Sequence, residues 1–277
     1  MNIQSITKSM IDSGIEENEA KCEVKMLLKY FCDYDVTDMI KGTELSKVKL
    51  ELLAQKVSER INTRKPIQYI VGQAYFMGEY YKVTPDVLIP RDETELLVRK
   101  SIEIIKDNKY KSVLDIGTGS GCIACTIAKQ TDAVVLGIDI STDALRVALD
   151  NVTKLGINNK AVFRKSDLFE KVHDDEKFDL IISNPPYIPH GTNLEPELSY
   201  EPQIALFANE DGLEFYNKII KEAPRYLKNN GYLMFELGIG ECESVKTLME
   251  QRGFLDIVVD NDMAGIPRVI YGRCLFI

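Results

Sequence analysis

Apolar residues in the first 64 positions recur three and four apart, as in MLLKYFCDYD and LELLAQKVSERI, without strand-like alternation. This spacing predicts a small helical domain over residues 1–66. The character changes at IQYIVGQAYFMGEYYKVTPDVLIP, where β-branched and aromatic residues are punctuated by Gly72, Gly78 and Pro85. Residues 67–90 are therefore read as a β-hairpin linker. From Arg91 onward helical and strand patterns alternate. ETELLVRKSIEIIKD, GCIACTIAKQ, STDALRVALDNVTKLG, GLEFYNKIIKEAPRYLK and ECESVKTLMEQRG read as helices; SVLDIG, AVVLGIDI, AVFRKSD, FDLIISN and GYLMFELG read as strands. Such alternation predicts an α/β domain over 91–277, with a mostly parallel sheet covered by helices on both faces. The closing runs FLDIVVD and RVIYGRCLFI are joined only by NDMAGIP. That link is too short for a helical crossover, so the two are expected to pair antiparallel at one edge.

Two strand ends carry candidate chemistry. SVLDIG runs into GTGSGCIA, which gives Asp115-x-Gly117-x-Gly119-x-Gly121. A glycine-rich turn between a strand and a helix lets a ligand approach the backbone closely. The glycines alternate singly and do not follow the dinucleotide pattern G-x-G-x-x-G. Asp139 ends the next strand, 22 residues past Gly117, where a carboxylate can accept hydrogen bonds from ribose hydroxyls. The second strand end is FDLIISNPPYIP. Proline fixes φ and removes a backbone donor, so this apolar strand must stop at Asn184. A doubly wound order puts it beside the first strand, with Asn184 to Tyr187 near the glycine loop. An asparagine oxygen and a backbone carbonyl both accept hydrogen bonds from one planar NH2 group. Pro185 and Pro186 keep such acceptors fixed, and Tyr187 offers a flat face. The site reads as a clamp for an amide or an aromatic amine.

Composition narrows the classes. A net charge of −9 and a pI of about 5.0 disfavour a protein that grips a nucleic-acid backbone directly. No apolar run approaches the roughly 20 residues of a membrane span, and the N-terminus lacks a signal-peptide layout, so a cytoplasmic location is expected. Six scattered cysteines argue for reduced thiols, and the pair Cys122 and Cys125 is read as core packing, with no metal expected. His190 is read as a solvated loop histidine. A monomer is the default expectation.

An aspartate before three alternating glycines resembles the S-adenosylmethionine site of class I methyltransferases, which have a Rossmann-like, mostly parallel seven-stranded sheet with an antiparallel edge strand. The resemblance implies that Asp115, Gly117, Thr118, Gly119, Ser120 and Gly121 line the methionine side and that Asp139 holds the ribose. It implies that Asp167 and Leu168 meet the adenine, and that S-adenosylhomocysteine is the product. N-P-P-Y after such a domain resembles two groups: amino-methyltransferases of adenine in DNA and those of protein glutamine. The acidic charge, the absence of tryptophan and the lack of a basic recognition insert disfavour the first. YIVGQAYFMG, VLIPRDETELLV, YEPQIALFANEDGLEFY and DMAGIPRV resemble the bacterial release-factor glutamine-N5 methyltransferases, from about Arg64 to the C-terminus. That resemblance implies methylation of the glutamine in the Gly-Gly-Gln motif of peptide chain release factors, with the N-terminal helices as a docking domain. Asn184 and the Pro185 carbonyl would bind the amide, next to Pro186, with Tyr187 packed against it. Ile89 to Glu95 would border the site, where Arg91 and Glu93 are read either as functional groups or as an ion pair with each other. Asp92 departs from a proline common in the family, Leu168 offers no ring to stack on adenine, and Glu241 is assigned no role.

Overall fold

The helical spacing of the first 64 residues folds as read. In the computed structural model, which describes residues 2–275, α1 (Ile3–Asp12), α2 (Glu17–Cys32), α3 (Val36–Lys41) and α4 (Lys47–Thr63) are followed by a short α5 (Ile67–Val71). Their apolar stripes meet in a core in which Met10, Leu27, Leu28 and Leu53 are fully buried. Residues 67–71 differ from the expected hairpin. Pro66 begins a helical turn there, Gly72 ends it in the left-handed region, and Ile67, Tyr69 and Ile70 are buried. Met1–Gln73 form one compact unit together with Glu195–Tyr200, a segment from much later in the chain. Arg60 explains that membership. It is only 1% exposed, its Nε donates to both oxygens of Glu23 at 3.1 and 3.0 Å, and its Nη1 donates to Glu197 at 2.9 Å. Arg64 also pairs with Glu197, at 2.7 Å.

Ala74–Leu194 and Glu201–Ile277 form the second unit. Its hairpin, β1 (Gln73–Phe76) and β2 (Glu79–Lys82), precedes α6 (Asp92–Asn108), β3 (Ser112–Ile116), α7 (Cys122–Gln130), β4 (Val134–Asp139), α8 (Thr142–Leu155), β5 (Ala161–Lys165) and β6 (Phe178–Ser183). After β6 come the two-residue strands β7 (Ile188–Pro189) and β8 (Phe207–Ala208). They lead to α9 (Glu214–Tyr226), β9 (Leu227–Glu236), α10 (Cys242–Gln251), β10 (Leu255–Asn261) and β11 (Pro267–Arg273). Phe276 and Ile277, the end of the expected last strand, lie outside the described residues, as does Met1.

The described residues build a seven-stranded sheet in the order β10-β11-β9-β6-β3-β4-β5. β9, β6, β3, β4 and β5 are parallel neighbours. β10 and β11 pair antiparallel as expected, and β11 is also antiparallel to β9. The pleat sorts the strand residues. Val113, Val135, Leu180, Ile182 and Met234 face one core, which contains α7, while Leu114, Leu136, Ile181, Leu233 and Phe235 face the other, which contains α9. Burial on both faces is why these strands read as continuous apolar runs. Cys122 and Cys125 are both buried in the first core. The hairpin is held by Asn151, whose Oδ1 accepts from the Lys82 amide at 2.6 Å and whose Nδ2 donates to the Lys82 and Ser120 carbonyls.

Burial pushes the Glu23 carboxyl up to about 7 even beside Arg60. Arg60→Ala would leave that carboxyl with no cation inside the helical core and leave Glu197 to Arg64 alone. A loss of about 3–5 kcal/mol is expected, the usual result of breaking a buried pair. Denaturant unfolding checks it, and a change under about 1 kcal/mol would show that the cluster is dispensable.

Candidate active site

Strand order reverses between β3 and β6, and the outgoing chain from these neighbours goes to opposite faces of the sheet. Such a switch point leaves a cleft at the carboxyl ends of the strands. The glycine loop forms one wall. The amides of Gly117 and Thr118 both donate to the Ile138 carbonyl at 2.9 Å, so the loop is bonded to the end of β4. Asp139 completes the link, because its Oδ2 accepts from the Gly119 amide and its Oδ1 from the Ser141 amide, each at 2.9 Å. Burial raises the pKa of Asp139, and the three amides of Ser141, Gly119 and Ile140 oppose that shift by favouring the charge. At Gly121, φ is +76° and a Cβ would lie 3.0 Å from that of Ala148, so only glycine lets α7 start so close to α8.

A cavity of about 300 Å³ lies at these strand ends. Of the residues singled out in the sequence, Gly117, Gly119, Asp139, Asp167, Leu168, Asn184, Pro185 and Pro186 line it. Asp115, Thr118, Ser120 and Gly121 stand behind the loop and do not line it. Asp115 is fully buried and accepts from the Thr118 hydroxyl at 2.6 Å. Its carboxyl is pushed up to about 7 by burial, and Oδ1 lacks a hydrogen-bond partner among the described residues. Ser166 shapes the turn at Asp167 and Leu168. Its hydroxyl donates to the Leu168 carbonyl at 2.6 Å and accepts from the Lys171 amide, while Leu168 holds a left-handed φ of +45°. Val87, Pro202, Ile204 and Phe215 add apolar lining; they lie in the VLIPRDETELLV and YEPQIALFANEDGLEFY stretches, which carried the resemblance but were given no individual site role.

The opposite wall is Asn184 to Tyr187. The Ser183 hydroxyl donates to the Ile116 carbonyl at 2.8 Å and ties the end of β6 to β3. Asn184 is half-buried, and its Nδ2 donates to the Thr94 hydroxyl at 3.3 Å. Tyr187 lies outside the cavity lining, packed against two glycines. A Cβ at Gly238 would come within 2.8 Å of its ring, and one at Gly212 would run into its carbonyl. Burial pushes the Tyr187 hydroxyl up to about 12, so it stays protonated. Glu241, left without a role in the sequence, buttresses this packing: its Oε2 accepts from the Gly238 amide at 2.9 Å. His190 is exposed and stacks on Phe207, with ring centroids 5.3 Å apart.

Arg91 and Glu93 do not pair with each other. Arg91 is the N-cap residue of α6, in extended backbone and without a side-chain cap bond, and Glu93 is the second residue of the helix. Arg91 pairs with the buried Glu201, which also accepts from the Ile89 amide at 3.0 Å, and Glu93 faces Arg268 at 3.9 Å. Of two further residues beside the site, Thr94 fell within the 89–95 segment expected to border it but was given no role, and Glu236 was passed over in the sequence. The available signal was a carboxylate closing the apolar run LMFE, the same signal that marked Asp139.

Residues 107–263 match a family described as a methyltransferase domain. A release factor glutamine methyltransferase of Geobacter sulfurreducens is 44% identical over 214 residues, covering 76% of this chain and 74% of that protein. One of Clostridium acetobutylicum is 38% identical over 254 residues, covering 89% and 88%. A 16S rRNA N2 methyltransferase of T. thermophilus, solved with AdoMet and guanosine, shares the fold, with a TM-score of 0.53 at 18% identity over 73% of this chain and 49% of that one.

Gly212 has φ of +95° and no room for a side chain between Tyr187 and Glu241. Gly212→Ala is expected to destabilise the protein by about 1–3 kcal/mol through overpacking and backbone strain. Thermal unfolding measures this, and an unchanged midpoint would mean that the Tyr187 loop yields freely.

Proposed function

The chain belongs to the release factor glutamine methyltransferases, and we propose that Asn184, Pro185 and Tyr187 hold the glutamine amide that is methylated. The enzyme transfers a methyl group to the side-chain nitrogen of a glutamine in peptide chain release factors, here assigned to the Gly-Gly-Gln motif. The observation that carries the site assignment is Asn184. Its carboxamide lines the same cavity as Asp139 and the glycine loop, and its nitrogen is turned away to Thr94.

The cavity suits S-adenosylmethionine. Its volume is at the lower end of small-ligand sites, and the space beside Gly117 is open where any Cβ would intrude. Asp139 Oδ2 accepts from the Gly119 amide and Oδ1 from the Ser141 amide, and a carboxylate with about four lone-pair sites has capacity left for a ribose hydroxyl. Asp167 and Leu168 would meet the adenine, while Asp115, Thr118, Ser120 and Gly121 brace the loop at the methionine end. When bound, the cofactor supplies a methyl group on a positively charged sulfur and leaves as S-adenosylhomocysteine.

The chain's own residues do the rest. An amide nitrogen is a weak nucleophile because its lone pair is delocalised. The Asn184 Oδ1 and the Pro185 carbonyl accept its two N–H bonds, which orients the nitrogen and favours positive charge building there. Pro185 and Pro186 hold both acceptors without ordering cost, and Tyr187 packs against the amide plane. After methyl transfer the cationic nitrogen releases one of its two protons to solvent water, which leaves the neutral N-methyl amide. The N-terminal helices are assigned to docking the release factor, with the enzyme acting as a cytoplasmic monomer and without direct nucleic-acid contact.

Incubation with labelled S-adenosylmethionine and either release factor or duplex DNA, followed by peptide mapping, tests the assignment. Label is expected on the Gly-Gly-Gln peptide, and label on DNA adenine would overturn it. Asn184→Ala is expected to lower kcat by about 100-fold or more, with cofactor affinity changed by less than about threefold. Asp139→Ala is expected to weaken cofactor binding by about tenfold or more, as read by calorimetry. Loss of cofactor binding in Asn184→Ala would instead place that residue on the cofactor.

A further inference from the structure

We propose that Thr94 and Glu236 are positioning residues: a hydrogen-bond relay from Glu236 through Thr94 sets the Asn184 carboxamide with its oxygen toward the acceptor. The inference rests on the reading of Asn184 as the amide clamp. β9 lies beside β6 with Phe235 opposite Ser183, so Glu236 and Asn184 are the next residues out on adjacent strands. Thr94, the third residue of α6, is 3% exposed and stands between them. Its hydroxyl accepts from Asn184 Nδ2 at 3.3 Å and lies near enough to the Glu236 carboxyl to favour its charge; the bond from that hydroxyl to the carboxyl is the inferred link of the relay. Glu236 is 1% exposed, and its main-chain carbonyl is held by the Tyr216 hydroxyl at 2.8 Å. Its Oε2 has no partner among the described residues.

A carboxamide has two ends of the same shape and opposite hydrogen-bonding sense. Cavity shape therefore cannot choose between them, and a proton count must. A threonine hydroxyl has one hydrogen, and an ionised carboxylate only accepts. Thr94 must give its hydrogen to Glu236, so it can only accept from Asn184, which turns Nδ2 inward and Oδ1 toward the cavity. A flipped Asn184 would set its NH2 against the NH2 of the substrate, two donors facing one another. Burying a carboxylate costs several kcal/mol, a cost that packing alone gives no reason to bear.

Burial pushes the Glu236 carboxyl up to about 7; Thr94, Arg268 and Arg91 favour its charge, and Glu93 opposes it. Tyr187 and Cys122 are the other titratable groups that sense it. A proton on Glu236 lets Thr94 accept from the carboxyl and turn its own hydrogen to Asn184, which permits the flipped amide. Turnover should therefore fall as pH drops through this range. Asp115 and Glu241 are also pushed up to about 7, so a variant must separate Glu236 from them.

The test uses the full chain with intact release factor. Thr94→Val, nearly equal in volume, should lower kcat about tenfold, the worth of one hydrogen bond, with cofactor Kd unchanged. Thr94→Ser should restore most of the rate. Glu236→Gln, whose NH2 can donate to Thr94 as the protonated acid does, should remove the acidic inflection near pH 7 and hold kcat at the lowered acid-side level across the profile. If Thr94→Val turns over normally while Asn184→Ala is inactive, the relay is wrong and the clamp stands. If Asn184→Ala is itself active, the clamp is wrong and the relay falls with it. Equal impairment of the serine and valine variants would also overturn the relay, because it would assign the effect to the methyl group. Should Thr94→Val fail to fold, a Glu236→Gln variant that turns over at the full wild-type rate above pH 7 overturns the relay on its own.

Discussion

Every feature of the site follows from one constraint: β3 and β6 are parallel neighbours whose outgoing chains must cover opposite faces of the sheet. α7 packs into one core and α9 into the other, so the chain parts above the paired ends of Ile116 and Ser183. The backbone ladder ends there, and the groups beyond it need other partners. Asp139 takes two of the amides, the Ile138 carbonyl takes two more, and the Ser183 hydroxyl takes the Ile116 carbonyl. Bonds that satisfy a strand end thereby also shape a cavity.

The same region concentrates buried carboxyls. Asp115, Glu236 and Glu241 are each raised to about 7 by burial, and all lie at the carboxyl ends of β3 and β9 or just beyond. A core made for stability alone would put apolar groups there. Each of these carboxyls supports a neighbour near the cavity: Asp115 bonds Thr118 in the loop, Glu241 holds Gly238 under Tyr187, and Glu236 faces Thr94. Carboxyls raised by burial and gathered at one end of a sheet are a common feature of reaction centres.

Much of this was legible before folding. FDLIISNPPYIP announced a strand forced to stop, and β6 does end at Ser183 with Asn184 on the cavity wall. GTGSG announced a close approach, and Gly117 and Gly119 line that cavity. Ile67 to Val71 misled because a five-residue apolar run has no period long enough to separate helix from strand; Pro66 and Gly72 decided it. Arg91 and Glu93 misled because nearness in sequence says nothing about direction across a helix start, where Glu201 and Arg268 were the available partners.

The amino-acid sequence by itself determined the alternation of elements, the parallel sheet and the two strand ends that carry chemistry. These depend on local periodicity and on residues whose backbone limits act wherever they stand. Only the tertiary structure decided which residues support those ends. Thr94 reaches Asn184 across 90 positions of chain, and Glu236 reaches the same spot by the lateral register of β9 on β6. Glu197 reaches Arg60 across 137 positions. Such pairings are set by how strands and helices align side by side, and no spacing along the chain encodes that alignment.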